Sequence, residues 1–421
     1  MQFQRVKGMN DILPGDIERW QRLESVFRRT VELHGYSEVR TPILESLELF
    51  VRSTGETTEI VEKQMFELQR GSERFALRPE GTPGSARAFI GGSVHAKEPV
   101  TRWYYIGPMF RAEQPQRGRY RQFHQAGCEV YGDAGPISDA EMIDMLVGLL
   151  RALGVESFDV RINSLGGAQS RAKYRAALQD YLRPQADKLS EHAQKRLGDN
   201  PLRILDSKDP RDREAVKGAP SILDVLEPED QAHFQGLCAA LDALGTPYVV
   251  DTGLVRGLDY YTRTLFEFTS NAGQLGTQSA LLGGGRYDGM LEGLGGPKLP
   301  CIGYAMGLER MLLAMDKTEL PKAPRCFVAP LGEKATHQGL IIARELRALG
   351  ITVDVDGRGG SLKSMLRRAD ATGAALCLVL GEAEVERGVV QVKNLAAHTQ
   401  TELAFSGVAQ YIQTALAKEE P

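Results

Sequence analysis

The sequence predicts an α+β protein: an antiparallel sheet flanked by helices, a mainly helical insertion, and a separate C-terminal α/β domain. Three observations lead to this prediction. Strand-like runs follow one another in the N-terminal part, helix formers dominate from about 165 to 247, and strands alternate with helices from residue 325. The chain has 421 residues, 42% of them hydrophobic, which is enough for two or three cored domains.

The first predicted element is an amphipathic helix over residues 16–34. Its apolar residues recur at spacings of three and four, and Gly35 follows as a stop. These residues are Ile17, Trp20, Leu23, Phe27 and Val31. The next stretch, "YSEVRTPILE", is predicted to be extended, and Pro42 places it at a sheet edge or an interface. Three further strands are predicted in "ERFALRPEGT", "RWYYIGPMFRAE" and "QFHQAGCEVYG".

A second amphipathic helix follows this sheet. Ser138 and Glu141 have the spacing of a capping box, and Gly154 follows as a stop. Its apolar face consists of Met142, Met145, Leu146, Leu149, Leu150 and Leu153. The insertion comes next, broken by the charged stretch "GDNPLRILDSKDPRD". Strands then return with "PYVVD", "TLFEFTS" and "LLGGGRYDGML", and "YAMGLERMLLAM" is predicted to be a helix.

The proline-marked linker "TELPKAPR" divides the chain into predicted domains of residues 1–323 and 324–421. In the second domain, "CFVAPL", "ITVDV", "ALCLVLG" and "VVQVKNL" read as strands. One helix between them ends at Gly350, and another spans about 361–371. Such alternation predicts a mostly parallel α/β domain.

Composition excludes several classes of protein. No apolar run approaches the roughly 18 residues of a membrane span, and the start of the chain lacks a signal-peptide stretch, so we expect a cytoplasmic location. The five cysteines contain no C-x-x-C pair, so neither a disulfide framework nor a zinc site is indicated. A net charge of −4 argues against indiscriminate coating of nucleic acid. Any site for a polyanion must therefore be local.

A nucleotide would have to be held by side chains. The chain lacks G-x-x-x-x-G-K-[ST], and "GGGRYDG" lacks the spacing of a dinucleotide fold. The stretch "FRAEQPQRGRYRQFHQ" contains four arginines and one carboxylate, Glu113. Arginine binds phosphate oxygens bidentately, and the "PQRG" turn predicts a hairpin that brings Arg111 and Arg119 together. A solvated basic hairpin explains the stretch equally well.

Four more stretches each allow two interpretations. Glu80 in "LRPEGT" is either an oriented carboxylate or a helix-capping acid. Arg256 and Asp259, ahead of two tyrosines in "RGLDYYT", are either site residues or a loop ion pair. The three glycines of "GGGRYDG" form either a hairpin turn or the floor of a pocket. Arg310 either faces inward toward an anion or snorkels at the surface.

Taken in order, these motifs resemble those of histidyl-tRNA synthetase, a class II aminoacyl-tRNA synthetase. They are "TEIVEKQMF", "LRPEGT", "WYYIGPMFRAEQPQRGRYRQFHQAGCEVYG", "RGLDYYT", "GGGRYDG" and "YAMGLERM". The pair "RGLDYY" and "GGRYDG" is specific to histidine enzymes and their close relatives. The resemblance spans nearly the whole chain, including a C-terminal domain like the family's anticodon-binding domain. Two departures are "KQMF" for the commoner "KEMY", and Gln114 where many relatives have arginine.

The resemblance implies a class II sheet, a homodimer formed partly through the first helix and the Pro42 strand, and a two-step reaction. Histidine and ATP give histidyl-adenylate and pyrophosphate, and the histidyl group then passes to the 3′ end of tRNA(His). Magnesium neutralises the pyrophosphate. Arg111 and Arg256 act on the α-phosphate as catalytic residues, and ATP contacts Arg111, Arg119 and Arg310.

The resemblance also assigns binding residues. The histidine ammonium is met by Glu80, Thr82 and Gln125. The imidazole is met by Glu129, Tyr261 and Tyr287. The acceptor end of the tRNA is read by Gln114, Gln116 and Arg117.

The C-terminal stretch "GRGGSLKSMLRR" gathers Arg358, Lys363, Arg367 and Arg368 without an acid. It predicts either a phosphate-contacting face for the anticodon arm or a solvated helix surface. The alternative function is that of the regulatory subunit of ATP phosphoribosyltransferase, a histidine-sensing relative. Those proteins generally lack the C-terminal domain and part of the arginine set, both of which are present here. A simple RNA-binding module would not need the small-molecule pocket.

Overall fold

The computed structural model describes residues 3–55, 58, 60–256, 258, 260–270, 280–315 and 325–417, so Asp259 lies outside the described residues. The chain divides into two compact units, residues 1–318 and 319–421. None of the described helices is long and apolar enough to cross a membrane.

An eight-stranded sheet organises the first unit, with strand order β1-β5-β6-β11-β10-β9-β7-β8. Only its two outer pairs, β1–β5 and β7–β8, are parallel. A second sheet, β2-β4-β3, is antiparallel. The strands are β1 (Ser37–Glu38), β2 (Leu44–Ser46), β3 (Phe66–Arg70), β4 (Glu73–Leu77), β5 (Thr101–Phe110), β6 (Gln122–Tyr131), β7 (Asp159–Ser164), β8 (Val249–Val250), β9 (Thr262–Thr269), β10 (Ala280–Arg286) and β11 (Cys301–Gly307). The predicted antiparallel sheet is confirmed.

The helices of this unit are α1 (Ile17–Leu33), α2 (Leu47–Thr54), α3 (Thr82–Gly91), α4 (Pro136–Ala152), α5 (Ala168–Leu182), α6 (Glu191–Asp199), α7 (Leu202–Leu205), α8 (Pro210–Ala215), α9 (Pro228–Leu244), α10 (Met290–Gly293) and α11 (Leu308–Ala314). The prediction for α1 is confirmed, since its periodic residues Trp20, Leu23, Phe27 and Val31 are buried. With α4, α9 and α11 it covers one face of the large sheet.

The opposite face of the sheet carries buried polar side chains. Because successive strand residues point to opposite faces, Ala126, Cys128 and Val130 of β6 join the helix-covered core. Gln125 and Glu129 of the same strand point the other way, and both are buried. The sequence alternation of β6 therefore separates a packing face from a functional face.

The predicted capping box of α4 is wrong. The helix begins at Pro136, with Gly135 as its N-cap and no side-chain capping bond. Proline fits the first turn of a helix, so it starts α4 ahead of Ser138. The Ser138 hydroxyl is buried without a hydrogen-bond partner among the described residues. Glu141 instead forms an ion pair with Arg102 at 2.7 Å.

The helix predicted over "YAMGLERMLLAM" begins later than expected. Its first four residues belong to β11, which pairs with both β6 and β10. A buried apolar run reads alike as strand or helix, so the sequence pattern could not separate them. Arg310 consequently lies in the first turn of α11 rather than in the middle of a helix.

The extended stretch before α2 forms strand only at Ser37–Glu38 and Leu44–Ser46. Pro42 lies between them and outside both strands. The β1 segment is an edge strand, as expected near a proline.

The region from about 165 to 247 is helical, but its helices serve two cores. Those from α5 to α8 surround a separate core that includes Tyr174, Leu178 and Ile204. The last helix, α9, packs Leu237 and Leu241 into the main core beside α4. The final helix of the predicted insertion is thus part of the layer that covers the large sheet.

The second unit has one five-stranded sheet, ordered β13-β12-β14-β15-β16. Its elements are β12 (Arg325–Leu331), α12 (Glu333–Ala348), β13 (Thr352–Val355), α13 (Leu362–Ala371), β14 (Leu376–Gly381), α14 (Glu382–Arg387), β15 (Val389–Asn394), β16 (Thr399–Ala404) and α15 (Phe405–Ala417). The first three strands in this order are parallel, but β15 and β16 are antiparallel. The prediction of a mostly parallel domain therefore fits β12, β13 and β14 but not β15 and β16. The connection from Asn394 to Thr399 is short, and a connection this short can only join antiparallel strands.

Candidate active site

A cavity of about 1050 Å³ opens on the functional face of the large sheet. Its size is at the upper end of the range for small-molecule sites, so it can hold more than one small substrate. The predicted site residues that line it are Glu80, Thr82, Arg111, Arg119, Gln125, Arg256, Tyr261, Tyr287 and Arg310. Glu129 lies directly behind this lining, within hydrogen-bond distance of Thr82 and Tyr287.

Glycines form the floor of the cavity. Gly283 lies within β10, and a Cβ there would be 2.6 Å from the Arg256 guanidinium. A Cβ on Gly303 of β11 would be 1.7 Å from a carboxylate oxygen of Glu129. Gly283 of "GGGRYDG" is therefore part of a pocket floor, and since all three glycines lie within β10 they do not form a hairpin turn. Only glycine lets the sheet lie this close to the two charged groups.

Glu80 occupies a buried corner of the cavity. It is 4% exposed, and its carboxylate accepts long hydrogen bonds from Thr54 (3.4 Å) and Tyr260 (3.5 Å). Burial raises the pKa of Glu80, and the nearby Arg111 opposes that rise. The helix-capping interpretation does not hold, because Gly81 is the N-cap of α3 and no side chain caps the helix. The carboxylate is left able to accept a stronger donor.

Glu129 is held by three hydroxyl groups. Its carboxylate accepts hydrogen bonds from Thr82 (2.7 Å), Tyr105 (3.3 Å) and Tyr287 (2.5 Å). The residue is fully buried, and burial raises its pKa to about 8 although these hydroxyls lower it. A carboxyl group poised in this way can accept a hydrogen bond from a ring N–H.

Gln125 supplies an unused acceptor. It is 8% exposed, and its carbonyl oxygen Oε1 has no hydrogen-bond partner among the residues that the structure describes. A buried acceptor without a donor costs free energy, so such a group in a cavity wall marks a position for a ligand donor.

Arginines dominate another part of the wall. Arg111 donates to the Pro79 carbonyl at 2.9 Å, and its guanidinium lies 5.2 Å from the centre of the Phe123 ring. Arg119 pairs with Glu113 at 3.2 Å, while Arg256 forms an ion pair with Glu267. Asp259 lies outside the described residues, so the loop pair predicted for Arg256 is not described.

Arg310 faces the cavity and does not snorkel. Its guanidinium donates to the carbonyls of Gly118 (3.2 Å) and Ala280 (3.0 Å). Burial and the neighbouring arginines, Arg119 first, lower its pKa. The neighbouring arginines add positive charge around this buried guanidinium, which an anionic ligand would offset.

The other predicted residues are not among the described residues that line the cavity. Gln114, Gln116 and Arg117 are exposed on the loop between β5 and β6, where Gln116 and Arg119 close the predicted turn. In the second unit, Arg358, Lys363 and Arg367 are exposed near the carboxyl end of β13 and on α13. Arg368 differs from them, because it donates to Asp356 at 2.6 Å and so holds the loop that precedes α13.

Sequence reasoning missed several residues that shape the site. Tyr105 contacts Glu129, and Glu267 holds Arg256. Arg78 is 8% exposed and donates to the carbonyls of Pro108 and Thr41, each at 2.9 Å, which fixes the turn that carries Glu80. Its position two residues before Glu80 in "LRPEGT" was the only available signal.

The insertion also contributes to the cavity wall. Arg196, Arg203 and Lys208 line it from the α6–α8 region, opposite residues of the large sheet. A basic wall here extends the positive character of the cavity beyond the predicted arginines.

Comparisons with known proteins cover the whole chain. The family model described as "Histidyl-tRNA synthetase" matches residues 8–311, and that described as "Anticodon binding domain" matches residues 325–415. A histidine–tRNA ligase of Sorangium cellulosum is 57% identical over 98% of this chain and 96% of its own length. The crystal structure of apo S. aureus histidyl-tRNA synthetase is 33% identical, with a TM-score of 0.83, and covers 97% of this chain and 99% of that one.

A further structure shows a likeness of fold alone. It is described as an ATP phosphoribosyltransferase regulatory subunit/histidyl-tRNA synthetase from Bacillus halodurans C. It is 23% identical, with a TM-score of 0.66, and covers 90% of this chain and 98% of that one.

Proposed function

The chain belongs to the histidyl-tRNA synthetase family, and we propose that the cavity on the functional face of its large sheet is where histidine is activated. It is a histidine–tRNA ligase, which joins histidine to tRNA(His) with conversion of ATP to AMP and diphosphate. The observation that supports the site is that one cavity combines buried carboxylates with a group of arginines.

The part of the cavity around the buried carboxylates suits the amino acid. The histidine ammonium would donate to Glu80, to the unpaired oxygen of Gln125 and to the Thr82 hydroxyl. The imidazole has two distinct nitrogens, which Glu129, Tyr261 and Tyr287 would meet. An analogue without ring nitrogens would leave these buried groups unpaired, and such sites discriminate by about 10⁴ or more without editing.

The arginines suit the nucleotide. Arg111, Arg119 and Arg310 would contact the phosphates of ATP. In the first step a carboxylate oxygen of histidine attacks the α-phosphorus, the bond to the bridging oxygen breaks, and pyrophosphate leaves. No general base is needed, because the nucleophile is already an anion. Arg256 and Arg111 would stabilise the charge that develops on the α-phosphate.

Magnesium would arrive with ATP. The described residues contain no group of three or more His, Cys, Asp or Glu that could hold a metal by themselves. In nucleotide sites, phosphates and water supply most of the Mg²⁺ ligands, and the protein adds one or two carboxylates. Glu113 and Glu267, beside the phosphate-facing arginines, are the carboxylates that would hold it. The ion would neutralise the departing pyrophosphate.

The second step needs the tRNA. A hydroxyl of the terminal ribose attacks the histidyl carbonyl, and AMP leaves. The exposed loop residues Gln114, Gln116 and Arg117 would contact the acceptor end. Residues 324–421 would form the anticodon-binding domain, with Arg358, Lys363 and Arg367 contacting phosphates.

We further infer a cytoplasmic homodimer. Apolar side chains are exposed around the Pro42 segment and the small sheet: Ile43 is 42% exposed, Leu44 44% and Leu68 45%. Exposed apolar groups gathered in one region mark interaction surfaces, so a second copy of the chain would bind here. The cytoplasm is where translation uses charged tRNA.

The test is ATP–pyrophosphate exchange by the purified chain, together with histidine binding by calorimetry. We expect binding and histidine-dependent exchange. Binding without exchange would favour the regulatory alternative, since a histidine sensor needs the amino acid pocket but not the chemistry.

A further inference from the structure

The segment that carries Tyr261 enters β9 through an irregularity. Gly285 of β10 pairs with Leu265, but the next residue, Arg286, pairs with Thr262. Two residues of β9 are therefore extra, which is a β-bulge, and Arg263 within it has φ +45°. This left-handed conformation is unfavourable for a non-glycine residue, so neighbouring groups must hold it.

Contacts on both sides fix Arg263. Its N–H donates to the Gly166 carbonyl at 3.0 Å, and its carbonyl accepts from the Leu165 N–H at 2.7 Å. Its guanidinium donates to Asp230 at 3.0 Å and pairs also with Glu229 in the first turn of α9. The backbone of Arg263 is thus held by the segment that follows β7, and its side chain is held by α9.

Asp230 joins those elements. Besides Arg263, it accepts hydrogen bonds from the Ser170 hydroxyl (2.6 Å) and the Gly167 N–H (2.7 Å) at the start of α5. The residue is 5% exposed. Burial alone would raise the pKa of Asp230, but these donors and Arg263 lower it below its ordinary value. A charged carboxylate therefore ties α5, α9 and the bulge together.

Arg171 of α5 reaches the segment directly. It donates to the carbonyl of Tyr261 at 2.5 Å. The Tyr261 side chain lies in the cavity wall, with its ring 4.6 Å from that of Tyr260, which contacts Glu80. The first helix after β7 thus holds the backbone of a residue in the proposed histidine site.

We propose that Arg171, Asp230 and Arg263 are positioning residues for histidine recognition, which hold the Tyr260–Tyr261 segment against the cavity. The inference rests on the proposed function, because it takes Tyr261 as a contact of the imidazole. It gives the α5 helix a role in amino acid binding. None of the three lies among the residues assigned to contact ATP, so we expect their substitution to affect histidine binding more than ATP binding.

The test compares Arg171→Gln with Arg175→Gln in the full chain. Arg175 lies one turn further along α5 and also donates to a carbonyl, that of Gly198, but away from the cavity. In pyrophosphate exchange we expect Arg171→Gln to raise the KM for histidine about tenfold, because one charge-assisted hydrogen bond is lost. The KM for ATP should stay within about twofold of the wild-type value. Asp230→Asn should act in the same direction. Arg175→Gln should change neither KM.

Amide hydrogen exchange of peptides covering residues 258–265, in wild type and both α5 variants, gives a readout independent of activity. We expect faster exchange in Arg171→Gln and unchanged exchange in Arg175→Gln. An unchanged histidine KM in Arg171→Gln, or equal rises in both KM values, overturns the positioning role. Absence of ATP–pyrophosphate exchange in the wild type overturns the proposed function. The positioning role is then decided by amide protection alone.

Discussion

Glu129 shows how much chemistry one buried residue carries. Its neighbours are hydroxyl donors, yet burial keeps its pKa at about 8. The folded chain therefore retains a proton that an unfolded glutamate loses near pH 4.5. Since the folded state binds more protons between these values, its stability should fall as pH rises from about 4.5 to about 8.

Glu129→Gln removes this titration while keeping the side-chain volume. We expect the melting temperature of the wild type to drop more between pH 5 and pH 8.5 than that of the variant. Glu48→Gln, at an exposed position on α2, is the matched control and should follow the wild type. Parallel pH profiles for wild type and Glu129→Gln would contradict the buried, protonated state.

The sequence singled out most residues of the candidate site only through the family motifs. Spacing alone left Glu80, Arg256 and Arg310 each with two interpretations. Long-range contacts bear on two of the three: Glu80 meets Tyr260, 180 residues away, and Arg310 meets Gly118. Tyr105 carries no local pattern that distinguishes it from a core tyrosine, so its bond to Glu129 could not be predicted.

Within the β5–β6 hairpin, the arginines occupy two different environments. Arg111 and Arg119 line the cavity, whereas Arg117 lies exposed at the tip. The turn at Gly118, with φ +73°, makes this division possible, because glycine reverses the chain between Arg117 and Arg119.

Arg117→Ala should therefore lower kcat/KM for tRNA in aminoacylation several-fold, the loss of one phosphate or base contact of about 1 kcal/mol. Histidine-dependent pyrophosphate exchange should stay within twofold of wild type. Arg119→Ala is the matched comparison and should lower both activities. If Arg117→Ala impaired exchange as strongly as charging, the loop tip would belong to the ATP site instead.

Elements were predictable where periodicity was unambiguous. The α1 helix follows from apolar residues at spacings of three and four, which no strand shows. The "YAMG" segment was misassigned because a strand with neighbours on both sides is apolar throughout, like a buried helix. The capping box failed because two signals competed, and Pro136 defined the start of the helix.

At the scale of the molecule, the two units separate small-molecule chemistry from the proposed anticodon contact. In the second unit, α13 covers one face of the sheet, while α12 and α15 cover the other. The exposed residues Arg358, Lys363 and Arg367 thus belong to the α13 side.

The triple variant Arg358→Ala, Lys363→Ala, Arg367→Ala should raise the KM for tRNA in charging about tenfold or more, and weaken its salt dependence, because three phosphate contacts are lost. Pyrophosphate exchange should not change. The control is Lys334→Ala with Arg344→Ala, which removes charge from α12 on the opposite face. Equal effects of the two variants would show that net charge matters and the α13 face does not.

Pyrophosphate exchange by the wild type and by Arg256→Ala shows whether this cavity activates histidine. Arg256 lies over Gly283 on the cavity floor. We expect L-histidine-dependent exchange by the wild type, and a fall of about 10²–10³-fold in kcat for Arg256→Ala without loss of folding by circular dichroism. Arg161→Ala, a half-exposed arginine of the same wall that pairs with Asp251, should retain nearly full activity. Full exchange by a folded Arg256→Ala variant would show that histidine is not activated at this cavity.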